Sequence, residues 1–178
     1  DWILYPGPSV PDASGIAQTP DGTIWAGSWN GLFYLEGESW RHLEEPEELA
    51  GGISCLHVAG DSSLWVGTLG YGVLQYLDGK WTRHDVANGL ASNRVESFLQ
   101  TDDGSIWVAT DEGVSRFDGR TWTTRALHTT LTGVLAGGTD LRRSYGGALW
   151  INTWVPDKLA LRGLRRRTIR YLAESHPP

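Results

Sequence analysis

Two tryptophan series run in phase through this chain of 178 residues, and they restrict its fold more than any other feature. Trp25, Trp65, Trp107 and Trp150 are 40, 42 and 43 residues apart. Trp2, Trp40, Trp81 and Trp122 follow at spacings of 38, 41 and 41. A fixed period of this length means stacked copies of one supersecondary unit. The best copy is VESFLQTDDGSIWVATDEGVSRFDGRTWTT, from Val95 to Thr124. IAQTPDGTIWAGSWNGLFYLEGESWRH from Ile16 and ISCLHVAGDSSLWVGTLGYGVLQYLDGKWTRH from Ile53 align with it. A worn fourth copy begins near Val134 and passes through ALWINTW, Ala148 to Trp154.

Each unit parses into four short strands. An apolar run (ISCLHV, VESFLQ) meets a turn (PDGT, GDSS, DDGS), and a second strand follows (TIWAG, LWVGT, IWVAT). A Gly-containing turn (WNG, GYG, DEG) leads to a third strand (LFYL, VLQYL, VSRF). Another turn (EGE, DGK, DGR) precedes the Trp-bearing fourth strand. Asp-Gly between such strands predicts tight hairpins with φ > 0 at both central residues. A four-stranded period of this length is a β-propeller blade rather than a helical solenoid. The fold expected is therefore all-β, with about four blades, each a four-stranded antiparallel meander, forming part of a larger propeller. Repeats are placed near residues 16–43, 53–86, 95–125 and 134–160, with 1–5 as an outer strand. Residues 161–178 are a basic tail or a worn last strand. A blade must bury both faces, so large flat side chains at fixed positions are expected to fill the wedge between neighbours.

Trp2 stands 14 residues before Ile16, the spacing from Trp81 to Val95. The chain thus opens in the fourth strand of a blade, with no Met anywhere and no visible signal peptide. This predicts an excised or processed piece of a longer protein. Net charge of −6 provides no electrostatic attraction to nucleic acid or anionic membrane. Cys55 is the single cysteine, which excludes an internal disulfide framework and a multi-cysteine zinc site. No apolar run approaches the ~18 residues of a membrane span.

The segment NGLASNRVESFLQTDDGSIWVATDEGVSRFDGRTW, from Asn88, closely resembles the two-component regulator propeller repeat. That pattern reads GL-x-S-N-x-V, then D-x-x-G-x-L-W-x-G-T, then GL-x-x-Y/F-D-G. LWVGTLGYGVLQYLDGKW and PDGTIWAGSWNGLFYLEGESW match it in the second and first copies. The resemblance implies an extracytoplasmic (periplasmic or cell-surface) sensor domain of a bacterial regulator, binding a carbohydrate or other small molecule. The implied partners are that ligand and the rest of the parent sensor protein, with the membrane reached only through the parent chain. The family is defined by scaffold positions, so no catalytic residue carries over.

In a blade, the second-to-third and fourth-to-first connections share one face, where propellers generally bind. The second-to-third loops present Trp29, Asn30, Gly70, Tyr71, Asp111 and Glu112, and an inter-blade loop presents Ser92, Asn93 and Arg94. Trp29 and Tyr71 occupy turn positions without an evident core role, and such aromatics suit sugars or other amphipathic ligands. The ligand site is therefore placed at Trp29, Asn30, Tyr71, Asn93, Arg94, Asp111 and Glu112. No catalytic, cofactor or metal residues are assigned. His42 and His84 follow the blade tryptophan in what read as equivalent positions, as repeat decoration. His57 alternates with Ile53 and Cys55 and is expected to face the central channel. Asp102-Asp103-Gly104 fits a turn better than a calcium loop. Five arginines between 162 and 170 form a basic patch or a solvated face.

The preferred reading is a non-enzymatic sensor propeller. Its rivals are a protein-interaction scaffold, a tryptophan-repeat lectin and a propeller lyase or lactonase. Unlike loops (WNG, GYG, DEG) argue against one identical sugar site per blade.

Overall fold

The computed structural model describes residues 12–126, 140–143, 149–154 and 166–170, with side chains described over 12–124. Trp2 and the 1–5 strand lie outside the described residues. Strands β1 (Gly15–Gln18), β2 (Ile24–Ser28), β3 (Gly31–Glu36) and β4 (Ser39–Leu43) form one antiparallel sheet in chain order. β5 (Ile53–Val58), β6 (Leu64–Thr68), β7 (Val73–Leu77) and β8 (Lys80–His84) form the second. β9 (Val95–Gln100), β10 (Ile106–Thr110), β11 (Gly113–Phe117) and β12 (Trp122–Ala126) form the third. A three-stranded sheet follows, from β13 (Asp140–Arg143), β14 (Leu149–Trp154) and β15 (Arg166–Arg170). Part of the arginine-rich segment is thus a strand: Arg170 pairs with Trp150 and Arg166 with Trp154. The fourth unit extends past residue 160.

The sheets stand side by side with their first strands in sequence along one edge. β1 packs on β5, β5 on β9 and β9 on β13. Three consecutive four-stranded meanders with their first strands adjacent are blades around a common axis.

The tryptophans hold the blades together. Trp25 and Trp65, on the second strands, are 7% and 2% exposed. Each meets an aromatic pair on the next sheet. Trp25 lies 6.0 Å from Tyr76, which contacts Trp81 at 4.8 Å. Trp65 lies 5.6 Å from Phe117, which contacts Trp122 at 4.9 Å. A buried indole needs an acceptor for its N–H. Trp25 Nε1 donates to Thr19 Oγ1 at 3.1 Å, and Trp65 Nε1 donates to Ser63 Oγ at 2.8 Å. Those hydroxyls belong to the turns before each second strand. Asp21 accepts from Thr19 at 2.6 Å, and Asp61 accepts from Ser63 at 2.6 Å. One acid per turn therefore orders the hydroxyl that anchors the tryptophan.

The Asp-Gly expectation holds at one place and is corrected elsewhere. Between β7 and β8 both Asp78 (φ 50°) and Gly79 (φ 78°) are left-handed. Between β1 and β2 only Gly22 is (φ 90°). There Gly22 N donates to Thr19 O and Thr19 N to Thr23 O, a three-residue loop with a glycine bulge. Thr101–Ser105 repeats that bonding, with Gly104 at φ 82°. The longer loop leaves the Asp side chain free to bond the flanking hydroxyl and the N–H two residues on.

Truncating Trp65→Ala should destabilise the domain by ~3–5 kcal/mol, because four aromatic partners and the Ser63 bond are lost together. Trp29→Ala, at an exposed loop, should stay within ~0.5 kcal/mol. Urea unfolding followed by circular dichroism distinguishes the two; equal costs would overturn this assignment of the wedge.

Candidate functional site

The loop face carries a hydrogen-bonded belt in which the inter-blade segments bond to second-to-third loops: the first bonds the loop of the second blade, and the second ties the loops of the second and third blades together. Gly52 precedes β5, its φ of 80° open to glycine without strain. Its carbonyl accepts from Leu69 N of the second sheet at 3.1 Å, and a side chain at Gly52 would come within 3.3 Å of Trp29 O. Asn93 and Arg94 repeat this role one blade on. Gly72 N donates to Asn93 O at 2.9 Å, and Asp111 N donates to Arg94 O at 3.3 Å. The second-to-third loops of the second and third blades are thereby tied together, and the first approaches Gly52 closely.

Within each loop, the last residue of the second strand supplies the lock. Ser28 Oγ accepts from Asn30 N (3.0 Å), Thr68 Oγ1 from Tyr71 N (2.8 Å) and Thr110 Oγ1 from Glu112 N (3.3 Å). These hydroxyl residues are fully buried. Trp29, Asn30, Tyr71, Asp111 and Glu112 therefore sit on turns held by these bonds, and Asn93 and Arg94 on the inter-blade segment that bonds to two of them.

Their side chains divide into two groups. Trp29 is 65% exposed and stands clear of the core. Asn30 on the same turn and Glu112 on the turn of the third blade are also exposed. Tyr71 is 40% exposed, but its ring rests on Gly51 and has the Arg83 guanidinium 5.8 Å from its centre. It has a packing role, contrary to the reading from its turn position. Arg83 in turn pairs with Asp85 at 3.1 Å and Glu48 at 3.4 Å. Residues Gly51, Glu48 and Arg83, which the sequence did not single out, complete the surroundings of the tyrosine. The Gly51-Gly52 pair was the available signal. Asn93 Oδ1 is occupied by Val86 N at 3.0 Å, so that oxygen serves the loop. Arg94 is exposed and bonds Glu96 at 3.2 Å. Asp111 Oδ1 is enclosed with no hydrogen-bond partner, an acceptor desolvated beside the belt.

The Asn88–Arg94 segment is thus explained mostly as structure. Asp85 and Asn88 cap one another reciprocally, Gly89 is left-handed, and Leu90 is buried in the core shared by the second and third sheets. Ala91 N donates to Ser115 Oγ at 2.9 Å, and Thr124 Oγ1 donates to Gly89 O.

The histidines differ from expectation. His42 pairs across from Phe33 and is exposed, whereas His84 pairs across from Val73 and is buried. They stand two and three residues after their tryptophans, so they face opposite sides of their sheets and are not equivalent. His84 stacks on Trp65 at 5.5 Å and accepts from Trp122 Nε1 at its Nδ1 (3.3 Å). Its remaining nitrogen faces Gln75 Oε1 at 3.4 Å. Burial lowers its pKa, with Asp85 opposing. His57 lies opposite Trp65 and 6.3 Å from the Phe98 ring. It faces the third sheet rather than a channel, its Nε2 is unpartnered, and burial lowers its pKa. Burial of the sulfur pushes the Cys55 thiol up to about 12, which leaves it unreactive near neutral pH. Asp103, in the DDG turn, is lowered to about 2, first by the Thr101 hydroxyl and further by Ser105 and Arg116. Among the described residues no group of three His, Cys, Asp or Glu could hold a metal ion. No helix among them is long and apolar enough to cross a membrane.

A concavity opens on the opposite face, between the first and second sheets. It has a volume of about 400 Å³ and is lined by Asp21, Asp61, Ser62, Tyr76, Leu77 and Asp78 among others. Two of its acids, Asp21 and Asp61, are the ones that order the turn hydroxyls.

Four-stranded meanders tied this way define the class: these are β-propeller blades. More particularly, residues 89–112 match the two component regulator propeller family, so the third unit is a repeat of that kind. The solved extracellular domain of BT3049 from B. thetaiotaomicron, described as a hybrid two component system, superposes with a TM-score of 0.64 at 15% identity. That match covers 87% of this chain and 26% of that one. Virginiamycin B lyase from Staphylococcus aureus superposes at 0.60 and 12% identity, covering 94% of this chain and 57% of that one. YCF48 from Cyanidioschyzon merolae gives 0.59 at 15%, covering 96% and 59%. The chain spans about a quarter of the first and under two thirds of the others. At these identities the likeness is one of fold. No curated protein matches the sequence.

A buried histidine with lowered pKa favours the folded state while neutral. Its contribution is present above the unfolded value near 6.5 and is lost as pH falls through the lower folded value. Urea midpoints should be level from pH 8 to 7 and fall toward pH 5. His84→Gln should flatten that fall in part, with His57 contributing to what remains. An identical pH profile in the variant would remove His84 from this role.

Proposed function

We propose that this chain is a ligand-sensing part of a two-component-type regulator, binding a small molecule or carbohydrate on its loop face without catalysing a reaction. The observation that carries this reading is the belt itself. It presents Trp29 and Tyr71 at 65% and 40% exposure on turns fixed by buried hydroxyls, with Asn30, Arg94 and Glu112 alongside. An aromatic platform with a few polar neighbours on a preorganised backbone suits an amphipathic ligand such as a sugar. The belt costs little to order on binding, because Gly52, Asn93 and Arg94 already hold it.

The family match over residues 89–112 and the fold shared with an extracellular sensor domain support the sensory context and an extracytoplasmic location. The shared fold with virginiamycin B lyase raises the enzymatic alternative. Against that, His84 and His57 are turned into aromatic contacts between sheets. The Asp21, Asp61 and Asp103 carboxylates are engaged in turn bonds.

Glycan-array and metabolite thermal-shift screening of the wild-type chain provides the test. A ligand found this way should lose at least roughly tenfold in affinity on Trp29→Ala, about 1.4 kcal/mol, and a smaller factor on Tyr71→Ala. Unchanged affinity in both variants would eliminate the loop face.

A further inference from the structure

The turns before the second strands repeat one side-chain pattern, and in the third blade that pattern holds a guanidinium. Asp103 Oδ1 accepts from Thr101 Oγ1 at 2.6 Å and from Ser105 N at 3.1 Å. Its other oxygen, Oδ2, accepts from the Arg116 guanidinium at 2.7 Å. Arg116 stands opposite Trp107 in the sheet, and its Nε donates to Ser105 Oγ at 3.1 Å. The guanidinium carbon lies 5.9 Å from the centre of the Trp107 ring. Acid, hydroxyl and indole together receive one planar cation.

In the first two blades the acid is kept and the arginine is not. Asp21 Oδ1 accepts from Thr19 Oγ1 and Thr23 N, and Asp61 Oδ1 accepts from Ser63 Oγ and Ser63 N. Tyr34 and Gln75 stand opposite Trp25 and Trp65, where Arg116 stands opposite Trp107. Among the described residues no lysine or arginine pairs with Asp21, Asp61 or Asp78. These carboxylates instead line the cavity of about 400 Å³ between the first and second sheets, together with Tyr76. Two residues explain why this junction stays open. Between the second and third sheets Gly60 N donates to Gln100 Oε1 at 2.9 Å, across the gap. Between the first and second sheets the equivalent residues are Pro20, which has no N–H, and Val58, whose side chain has no acceptor. The same bond cannot form there.

We propose that this cavity binds a small organic cation carrying a guanidinium group, held by the Asp21 and Asp61 carboxylates against the Tyr76 ring. The third blade shows the chemistry, because the acid at the equivalent position already takes a guanidinium. A volume of about 400 Å³ lies in the range of small-molecule sites. Among the described residues no three of His, Cys, Asp or Glu could share one metal ion. A planar cation whose N–H donors point in several directions can reach two carboxylates without such proximity. Tyr76 adds an aromatic ring that a cation can approach. The inference does not depend on a ligand at the loop face, which lies on the opposite side.

The test is calorimetric titration of the full chain with agmatine. Agmatine should bind, and its affinity should fall as sodium chloride is raised. Asp21→Asn and Asp61→Asn should each weaken it roughly tenfold. An asparagine Oδ1 still accepts the turn bonds, so melting points should stay close to that of the wild type. Asp118→Asn makes the same charge change outside the cavity and should leave affinity unchanged. The double variant Pro20→Gly with Val58→Gln, which recreates the Gly60 and Gln100 pairing at this junction, should abolish binding in a chain that still melts cooperatively. No binding of agmatine, or equal affinity in the wild type, both asparagine variants and the double variant, overturns the proposal. Tighter binding of acetyl-Gly-Arg-Gly-amide than of agmatine also overturns it, by assigning the cavity to an arginine of a polypeptide.

Discussion

The indole N–H of Trp25 and of Trp65 is the bond on which the packing of the first three blades turns. A tryptophan buried between two thin sheets contributes a large apolar area, but only if its N–H finds an acceptor. Thr19 and Ser63 provide that acceptor, and Asp21 and Asp61 hold those hydroxyls in place. Acid, hydroxyl and indole form a short chain running from the solvent-exposed turn into the wedge. The ring beyond it meets the aromatic pair of the next blade, so one turn sets the angle between two sheets.

This arrangement assigns different work to the two faces of the arc. The face with the Asp turns serves Trp25 and Trp65, and two of the acids lining its concavity, Asp21 and Asp61, are already engaged in that task. The loop face is locked by backbone bonds from Gly52, Asn93 and Arg94, which spares several side chains for contact with a partner. Trp29 is free in this sense. Tyr71 is shared between its own packing against Gly51 and Arg83 and its exposed edge. The WNG and DEG loops are two residues long and the GYG loop four, so a ligand seated there would meet differences in both side chain and backbone.

Much of this was legible in the residues. Strand order, the turn positions and the wedge role of Trp25 and Trp65 follow from a forty-residue period and a two-residue alternation. Placement of Trp29 and Asp111 on the same face follows from the meander. The histidines were misread because a one-residue shift along a strand reverses the side-chain direction. SWRH and KWTRH look alike as strings, yet His42 faces outward and His84 faces Trp65. The Asp-Gly turns were misread for a related reason: the dipeptide serves two loop lengths, and the flanking Thr19 or Thr101 decides between them.

From the sequence by itself came the repeat, its four-stranded unit, the blade class and the candidate loop residues, since all of these depend on local periodicity. Only the tertiary structure decided which side of each sheet a residue faces and which blade it meets. It also decided which polar atoms of the loop face are already spent, as at Asn93 Oδ1 and around Tyr71. Those outcomes depend on neighbours about forty residues away, whose contacts no local pattern encodes.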